Sequence, residues 1–318
     1  MLSRTASNLF WIGRSMERAE TGARLLAVGA RNALIPTTGG GYRNEWEPIL
    51  AAGGHAAAFT ERYGAPVQRN IESFMFFDQD NPSSVASCIE TARENGRIVR
   101  TALTSQVWDA LNSGFQEVQG LRRTERSRLS LSDLIDWTTR QCALVRGAIE
   151  DTQLRNDGYD FLHLGFALER ADATARILDV KYYVLLPEVD FVGSGFDNYQ
   201  WSTILRALSS NRSFNWAYGG DVTPAKIADL LILNRQSPRS LITSAEDAMF
   251  HLDRLARGYD RTTEAQTKAR NLVGELCDLT INDIFDEGLH QFLSRMIVDV
   301  AALSAEIHET YLSGDIRV

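Results

Sequence analysis

One helical pattern occurs twice in this chain, and it constrains the fold more than any other feature. Residues 10–28 read FWIGRSMERAETGARLLAV, and residues 162–180 read LHLGFALERADATARILDV. The two segments are offset by 152 positions and share a glycine, a Glu-Arg pair and a later arginine. In each segment, apolar and small residues recur at spacings of three and four, which is typical of one face of an α-helix. The sequence therefore predicts two equivalent amphipathic helices that approach each other closely through small residues.

Further matches at similar offsets predict the architecture. They pair residues 46, 63–64 and 81–84 with residues 201, 218–219 and 237–240. Prolines stand in or beside turns, and alternating runs typical of strands are few, so the chain is predicted to be all-α. We predict a pseudo-two-fold helical bundle built from a tandem internal duplication. Its two repeats are residues 1–152 and 153–318, packed as one unit.

Local capping and turn signals predict the boundaries of several helices. Ser3 is predicted to cap the first helix, which ends before the turn-forming run 36–41. Asn81 is predicted to cap one long helix over residues 84–111. The strand-like run 182–186 is interpreted as the end of a helix.

The composition is typical of a globular protein and disfavours several classes of function. Hydrophobic residues make up 44% of the chain and charged residues 23%, with a net charge of -8. This charge argues against nucleic acid or an anionic membrane as a partner. The three cysteines, Cys88, Cys142 and Cys277, are far apart, which indicates neither a disulfide framework nor a thiolate metal site. Because neither a signal peptide nor a membrane-spanning run is recognisable, we predict a cytoplasmic protein.

Charged residues form a second duplicated stripe, one position beside the apolar one. It places Glu17 and Arg24 on the first helix and Glu169 and Arg176 on the second. A buried arginine must be paired, most simply with a carboxylate. One interpretation is therefore a structural core of ion pairs, Glu17 with Arg24 and Glu169 with Arg176. The other is a pocket in which arginines that outnumber their acidic partners bind a carboxylate or phosphate.

The pocket hypothesis extends to residues outside the two helices. A predicted helix N-terminus after residue 82 could also hold an anion, and a basic wall follows it. The full set of candidate binding residues is Arg4, Arg14, Glu17, Arg18, Arg24, Asn81, Ser83, Ser84, Arg93, Glu169, Arg170 and Arg176.

Other chemistry finds little support in the sequence. Glu287 and His290 have the spacing of helix-borne di-iron ligands, but Trp137 and Arg140 stand at the matching places of the first half, so no metal is predicted. The histidines are isolated in sequence and are interpreted as core or surface residues. Nucleotide-binding and nucleophile motifs are absent, and no cofactor is predicted.

Several motifs carry a resemblance to a known family. They are Met1-Leu2-Ser3-Arg4, Asn8-Leu9, Trp11, Gly13-Arg14, Met16-Glu17-Arg18-Ala19-Glu20, Ala23-Arg24-Leu25-Leu26, Asp80-Asn81-Pro82-Ser83-Ser84, Ala92-Arg93-Glu94-Asn95 and Leu168-Glu169-Arg170-Ala171-Asp172. On these motifs the chain resembles the bacterial alpha-E family over essentially its whole length. Members of that family are encoded beside, or fused to, circularly permuted ATP-grasp proteins, often with a transglutaminase-like protease nearby.

The resemblance implies a part in an ATP-dependent amide-ligation or peptide-modification system. We predict a non-catalytic binding or scaffold component, with an arginine-rich pocket for an acidic or peptidic ligand. One alternative is an enzyme of amide chemistry that uses Glu17 or Glu169 as general acid or base. A carboxylate held in a salt bridge has a lowered pKa, which counts against that enzyme. A purely structural interaction module is the other alternative.

Overall fold

The fold is built from helices, as the sequence predicts. The computed structural model describes residues 1–34, 46–185 and 195–313. Within these ranges the chain forms fifteen α-helices and no strand, so the all-α class is confirmed. The helices are α1 (Ser3–Asn32), α2 (Glu47–Ala52), α3 (Ala56–Tyr63), α4 (Gln68–Glu72), α5 (Val85–Ile98), α6 (Ser105–Arg123), α7 (Leu131–Thr152), α8 (Asp157–Leu185), α9 (Gly195–Ala207), α10 (Asn211–Tyr218), α11 (Pro224–Ile232), α12 (Leu241–Tyr259), α13 (Glu264–Asp278), α14 (Ile281–Glu287) and α15 (Leu289–Ile307).

Short irregular turns extend or connect some of these helices. Two π-helical turns, Ser73–Phe77 and His308–Leu312, continue α4 and α15. Two 3-10 turns, Arg100–Ala102 and Arg126–Arg128, lie in the connections on either side of α6. None of the helices in the described ranges combines the length and the apolar character that a membrane crossing needs.

The two repeated helices, α1 and α8, lie at the centre of the fold and pack against each other. α1 also contacts α5, α7 and α9, whereas α8 also contacts α2, α12 and α15. The apolar stripe of each helix is buried, as Leu9 and Ile12 on α1 and Leu164 and Leu178 on α8 illustrate. Burial of these apolar faces is the main favourable contribution to folding.

The predicted close approach of α1 and α8 occurs where Gly13 faces Gly165. A Cβ atom at Gly13 would lie 2.2 Å from the carbonyl oxygen of Leu162, and one at Gly165 would lie 2.2 Å from that of Phe10. Any side chain at either position would collide with backbone of the other helix. The crossing therefore requires glycine on both helices, and it brings the charged stripes beside the glycines together.

Backbone geometry after α2 and α9 is also matched between the two halves. Gly54 and Ser209, 155 positions apart, both adopt a positive φ, of 71° and 57°. In both turns the N–H of the following residue donates to the carbonyl five positions earlier, at 2.8 and 2.7 Å. These turns agree with the predicted offset, and the tandem duplication itself stays a prediction.

The prediction of a single helix over residues 84–111 is wrong, because two helices, α5 and α6, occupy this segment. The chain leaves helical geometry at Val99, whose φ and ψ are −106° and 31°, and α6 starts only after Thr104. The Thr104 hydroxyl caps α6 by accepting a hydrogen bond from the Val107 N–H at 3.3 Å. Because Val99 and Leu103 are both buried, packing of the connection stabilises the break that periodicity did not reveal.

The N-cap of α5 is Ser84 rather than the predicted Asn81. The Ser84 hydroxyl accepts a hydrogen bond from the Ser87 N–H at 3.1 Å, which satisfies one of the free donors of the first turn. The Asn81 side chain instead accepts from the Ser83 N–H at 3.0 Å and orders the turn before the helix.

Two further boundary predictions concern the ends of α1 and α8. Ser3 is the first residue of α1, and Leu2 occupies the N-cap position without a side-chain hydrogen bond. Residues 182–185 are the end of α8, as interpreted, whereas residue 186 and the predicted turn 36–41 lie outside the described residues.

Candidate functional site

The two Glu-Arg motifs pair with each other across the helix crossing. The Glu169 carboxylate accepts hydrogen bonds from the Arg18 Nε at 2.7 Å and Nη2 at 3.0 Å, and from the Arg14 Nε at 2.5 Å. In return, the Glu17 carboxylate accepts from the Arg170 Nη2 at 3.1 Å. Each glutamate is thus bound by the arginine of the opposite helix.

The ion pairs predicted within each helix form with different partners. Arg24 donates to Glu20, not Glu17, at 3.1 Å from Nε and 2.5 Å from Nη2. Arg176 donates from Nε to Asp172, not Glu169, at 2.7 Å. Residues four positions apart face each other on a helix, whereas Glu17 and Glu169 turn toward the opposite helix.

Two distant arginines complete a cluster around Glu17 and Glu20. Arg239, which precedes α12, donates to Glu17 at 2.8 Å and to Glu20 at 2.7 Å. Arg146 on α7 donates to Glu20 at 2.5 Å and to Glu17 at 3.3 Å. The first centre denotes the two carboxylates of Glu17 and Glu20 with the guanidinium groups of Arg24, Arg146, Arg170 and Arg239.

Both carboxylates of the first centre stay ionised. Burial raises the pKa of Glu17, but the guanidinium groups of Arg170, Arg239 and Arg146 more than offset it and hold this pKa well below its usual range. Burial and the neighbouring charge of Glu17 raise the pKa of Glu20, but the guanidinium groups of Arg239, Arg24 and Arg146 together lower it more. Carboxylates with such low pKa values are poor proton carriers near neutrality, which counts against the enzyme hypothesis for Glu17.

A second cluster surrounds Glu169. The second centre denotes the carboxylates of Glu169 and Asp172 with the guanidinium groups of Arg14, Arg18 and Arg176. Arg14 and Arg18 lie over the Trp11 ring at 5.7 and 5.9 Å from its centroid. Burial raises the pKa of Glu169, but the charges and hydrogen bonds of Arg14 and Arg18 lower it by more. The net pKa is below its usual value, so this carboxylate also stays ionised.

His55 borders the second centre as a neutral side chain. Burial lowers the pKa of its imidazole, and the nearby charges of Arg176 and Arg18 lower it further. The carbonyl of Ala52 accepts a hydrogen bond from the Arg176 Nη1 at 3.4 Å, and this contact ties α2 to α8.

Comparison with known proteins gives a family assignment. Residues 1–312 match the Alpha-E family, described as a predicted alpha-helical domain with a conserved ER motif. The chain belongs to the Alpha-E family. No curated protein and no solved structure matches it. In this Alpha-E chain the Glu-Arg pairs Glu17-Arg18 and Glu169-Arg170 meet at the helix crossing.

Several residues predicted for the site form no hydrogen bond or ion pair with either centre among the described residues of this Alpha-E chain. Asn81 and Ser84 order the start of α5, as described above. Arg4 is exposed on the first turn of α1, and Arg93 contacts Asn112 at 3.4 Å and the Phe115 ring at 4.9 Å. Within the described ranges, no hydrogen bond or ion pair joins Arg4 or Arg93 to either centre.

Two arginines of the first centre were missed by the sequence analysis. Arg239 stands at the position that matches Ser83, so the duplicated pattern contains no signal for it. Arg146 follows buried Cys142 by four positions, which places it on the buried side of α7 and was a usable signal. It lies over the ring of Phe166, at 5.6 Å from the centroid.

The possible di-iron spacing has an ordinary structural explanation. His290 contacts Asp179 through Nδ1 at 2.7 Å, and Glu287 accepts from Arg295 at 2.8 Å. Across the part of the chain that the structure describes, no group of three or more His, Cys, Asp or Glu side chains is arranged to hold a metal ion.

Two histidines that are isolated in sequence stack on each other in the Alpha-E fold. The rings of His163 and His251 lie 4.8 Å apart, and the Tyr159 ring lies 4.0 Å from that of His163. The His251 Nδ1 lies 2.8 Å from a carboxylate oxygen of Asp160. Burial lowers the pKa of His163 to about 3, and the charges of His251 and Arg170 contribute to this shift.

We expect His163 to make folding less favourable as the pH falls from 7.5 to 5.5. Its pKa is near 6.5 in the unfolded chain and about 3 in the folded state. Its stabilising effect is therefore complete above pH 6.5 and is lost as the pH falls toward 3, by at most about 1.4 kcal/mol per pH unit. Urea unfolding at both pH values should show a smaller difference for His163→Gln than for the wild type. His308→Gln changes an exposed histidine and should keep the wild-type difference, and an equal difference in all three proteins contradicts this expectation.

Proposed function

We propose that this chain is a non-catalytic component of an ATP-grasp amide-ligase system and binds an acidic or peptidic ligand at the first centre. The observation that carries the binding role is the ratio of charges, with four guanidinium groups facing two carboxylates. The ATP-grasp partner, and a transglutaminase-like protease as a further component, rest on the motifs that this chain has in common with the alpha-E family.

The charge of the first centre favours an anionic ligand. Four arginines and two glutamates leave two positive charges in excess, and an uncompensated buried charge costs several kcal/mol. The carboxylate of Asp247 acts on Arg170 and offsets part of this excess, while its own burial raises its pKa. A bound carboxylate or phosphate would balance the excess.

Free hydrogen-bond donors point to the same ligand chemistry. The Nε atoms of Arg146 and Arg170 are buried and have no hydrogen-bond partner among the described residues. A planar guanidinium binds a carboxylate or phosphate through two parallel hydrogen bonds, one of them often from Nε. The side chain of Arg146 is 27% exposed, so the ligand would approach from α7.

A purely structural ion-pair core is the second candidate function. It is favoured by the complete burial of Glu17 and by the mutual pairing of the two Glu-Arg motifs. The two candidates differ in one respect, because only the binding site should respond to added anions.

Anion binding is tested by titration of the purified chain with inorganic phosphate and with a diglutamate peptide, each against chloride of equal ionic strength. We expect both to bind and to raise the melting temperature. Arg146→Gln should weaken binding at least about tenfold, which corresponds to about 1.4 kcal/mol. The matched control is Arg122→Gln, which changes an arginine of α6 that pairs with Glu90 of α5, and this variant should bind as the wild type does. Equal binding by Arg146→Gln and the wild type contradicts the anion site and favours the structural core.

The role in a ligase system needs the partner as well. The chain should be purified alone and with the encoded ATP-grasp neighbour, and ADP release measured with candidate amines and acids. We expect turnover only with the neighbour present. Turnover by the chain alone contradicts the non-catalytic role. Unchanged output with an Arg146→Gln chain that still folds and binds the neighbour contradicts a ligand role for the first centre.

A further inference from the structure

The first and second centres are built from matching contacts. Between the helices, Glu17 pairs with Arg170 in the first centre and Glu169 pairs with Arg18 in the second. Within each helix, Glu20 pairs with Arg24 and Asp172 pairs with Arg176. Arg24 and Arg176 also each donate to a backbone carbonyl, that of Ala207 and that of Ala52.

The centres differ at the residue before the capping serine of the adjacent helix. In the first centre this residue is Arg239, which precedes Ser240 and whose guanidinium bridges the carboxylates of Glu17 and Glu20. At the second centre it is Ser83, which precedes Ser84. A serine side chain is too short to reach across to α8 and carries no charge.

The start of α5 lies beside the second centre, as the start of α12 lies beside the first. The Cys88 thiol on α5 is close enough to Arg18 and Glu169 for both charges to act on its pKa, which burial raises. On the other side, the Thr174 hydroxyl of α8 donates to the Arg239 carbonyl at 2.8 Å and anchors the segment before α12. Since α5 packs against α1 as α12 packs against α8, Ser83 holds the place before α5 that Arg239 holds before α12.

Asp172, one of the two acidic groups of the second centre, has spare hydrogen-bonding capacity and is accessible. Glu20 accepts from three arginines, whereas Asp172 accepts only from Arg176 among the described residues. The Asp172 side chain is 22% exposed against 3% for Glu20. The matching arginines show the same contrast, with 29% for Arg176 and 9% for Arg24.

We propose that the second centre binds the guanidinium group of an arginine side chain from a peptide ligand, in the position equivalent to that of the Arg239 guanidinium. There it would bridge Glu169 and Asp172, as Arg239 bridges Glu17 and Glu20. A guanidinium suits this position because its planar donors reach two carboxylates at once, which a compact ammonium does less well.

Solvent weakens the repulsion from the arginines already present, because the side chains of Arg18 and Arg176 are each 29% exposed, against 9% for Arg24 in the first centre. The second centre holds three guanidinium groups and two carboxylates, and a ligand guanidinium would make four. His55 adds no competing charge, since burial and the neighbouring arginines lower its pKa.

The test uses arginine amide as the probe and citrulline amide as its uncharged match, both titrated into the full chain. We expect arginine amide to bind at least tenfold more tightly than citrulline amide, and Asp172→Asn to reduce arginine amide binding at least tenfold. Ser83→Arg should abolish the binding and raise the melting temperature, because it supplies the guanidinium from the chain itself. Ser83→Gln, a long but uncharged replacement, should do neither.

Two outcomes would overturn the proposal. One is equal affinity for arginine amide and citrulline amide. The other is unchanged arginine amide binding in both Asp172→Asn and Ser83→Arg. The Arg146→Gln chain distinguishes this site from the anion site. It should lose its response to phosphate and still bind arginine amide, so the failure of either proposal leaves the other standing.

Discussion

Replacing Glu17 by glutamine is expected to lower the free energy of unfolding by about 3–5 kcal/mol. The change removes one of the two carboxylates that balance Arg146, Arg170 and Arg239, while the side chain stays fully buried. An amide keeps the shape but not the charge, so these guanidinium groups lose a partner in a region with little access to water. Urea unfolding followed by circular dichroism at pH 7.5 measures the effect.

The matched control is Glu94→Gln on α5. Glu94 is about half exposed and pairs with Arg97 at 2.8 Å, a surface ion pair whose loss should cost less than about 1 kcal/mol. Adding Arg239→Gln to Glu17→Gln should cost less than the sum of the two single changes, because both remove parts of one charge network. If Glu17→Gln lowers the free energy of unfolding no more than Glu94→Gln does, the first centre contributes little net stability.

Replacing Gly13 by alanine is expected to lower the free energy of unfolding by about 3 kcal/mol or more. The new Cβ would lie 2.2 Å from the carbonyl oxygen of Leu162, which belongs to the backbone and cannot rotate away. The two helices must then separate, and the hydrogen bonds between the Glu-Arg motifs lengthen with them. Urea unfolding gives the stability, and phosphate titration reports on the first centre.

Gly147→Ala tests whether the effect belongs to the crossing. Gly147 lies within α7, and a Cβ there would meet nothing within 4 Å. Since glycine is a poor helix former, this change should raise the free energy of unfolding by about 1 kcal/mol. If Gly13→Ala behaves like Gly147→Ala, the crossing tolerates a side chain and the close approach is not required.

Long periodic segments could be predicted from the sequence, and breaks stabilised by packing could not. The apolar stripes of α1 and α8 are strong and continuous, so both helices were found with nearly correct limits. The pattern over residues 84–111 is equally continuous, yet the chain breaks at Val99 because that segment packs into the core. Local sequence carries no record of such tertiary contacts.

The same distinction holds for the site. Repetition identified Glu17, Arg18 and Glu169 as a group, but helical spacing could not show that they pair between helices. Arg146 and Arg239 reach Glu17 from 129 and 222 positions away. Contacts of that separation depend on the whole topology, and a single sequence without a repeated signal does not reveal them.

The central position of α1 has a consequence for how the protein is made. α1 leaves the ribosome before α8, and the arginine that binds Glu17 from α8 follows 153 positions later. At 5–20 residues per second, translation of that interval takes about 8–30 s, and Arg239 comes later still. During that interval Glu17 lacks Arg170 and Arg239, and the face of α1 that packs against α8 has no partner from that helix. The nascent first half therefore exposes an apolar helix face until α8 is made, and such a face is a surface that chaperones bind.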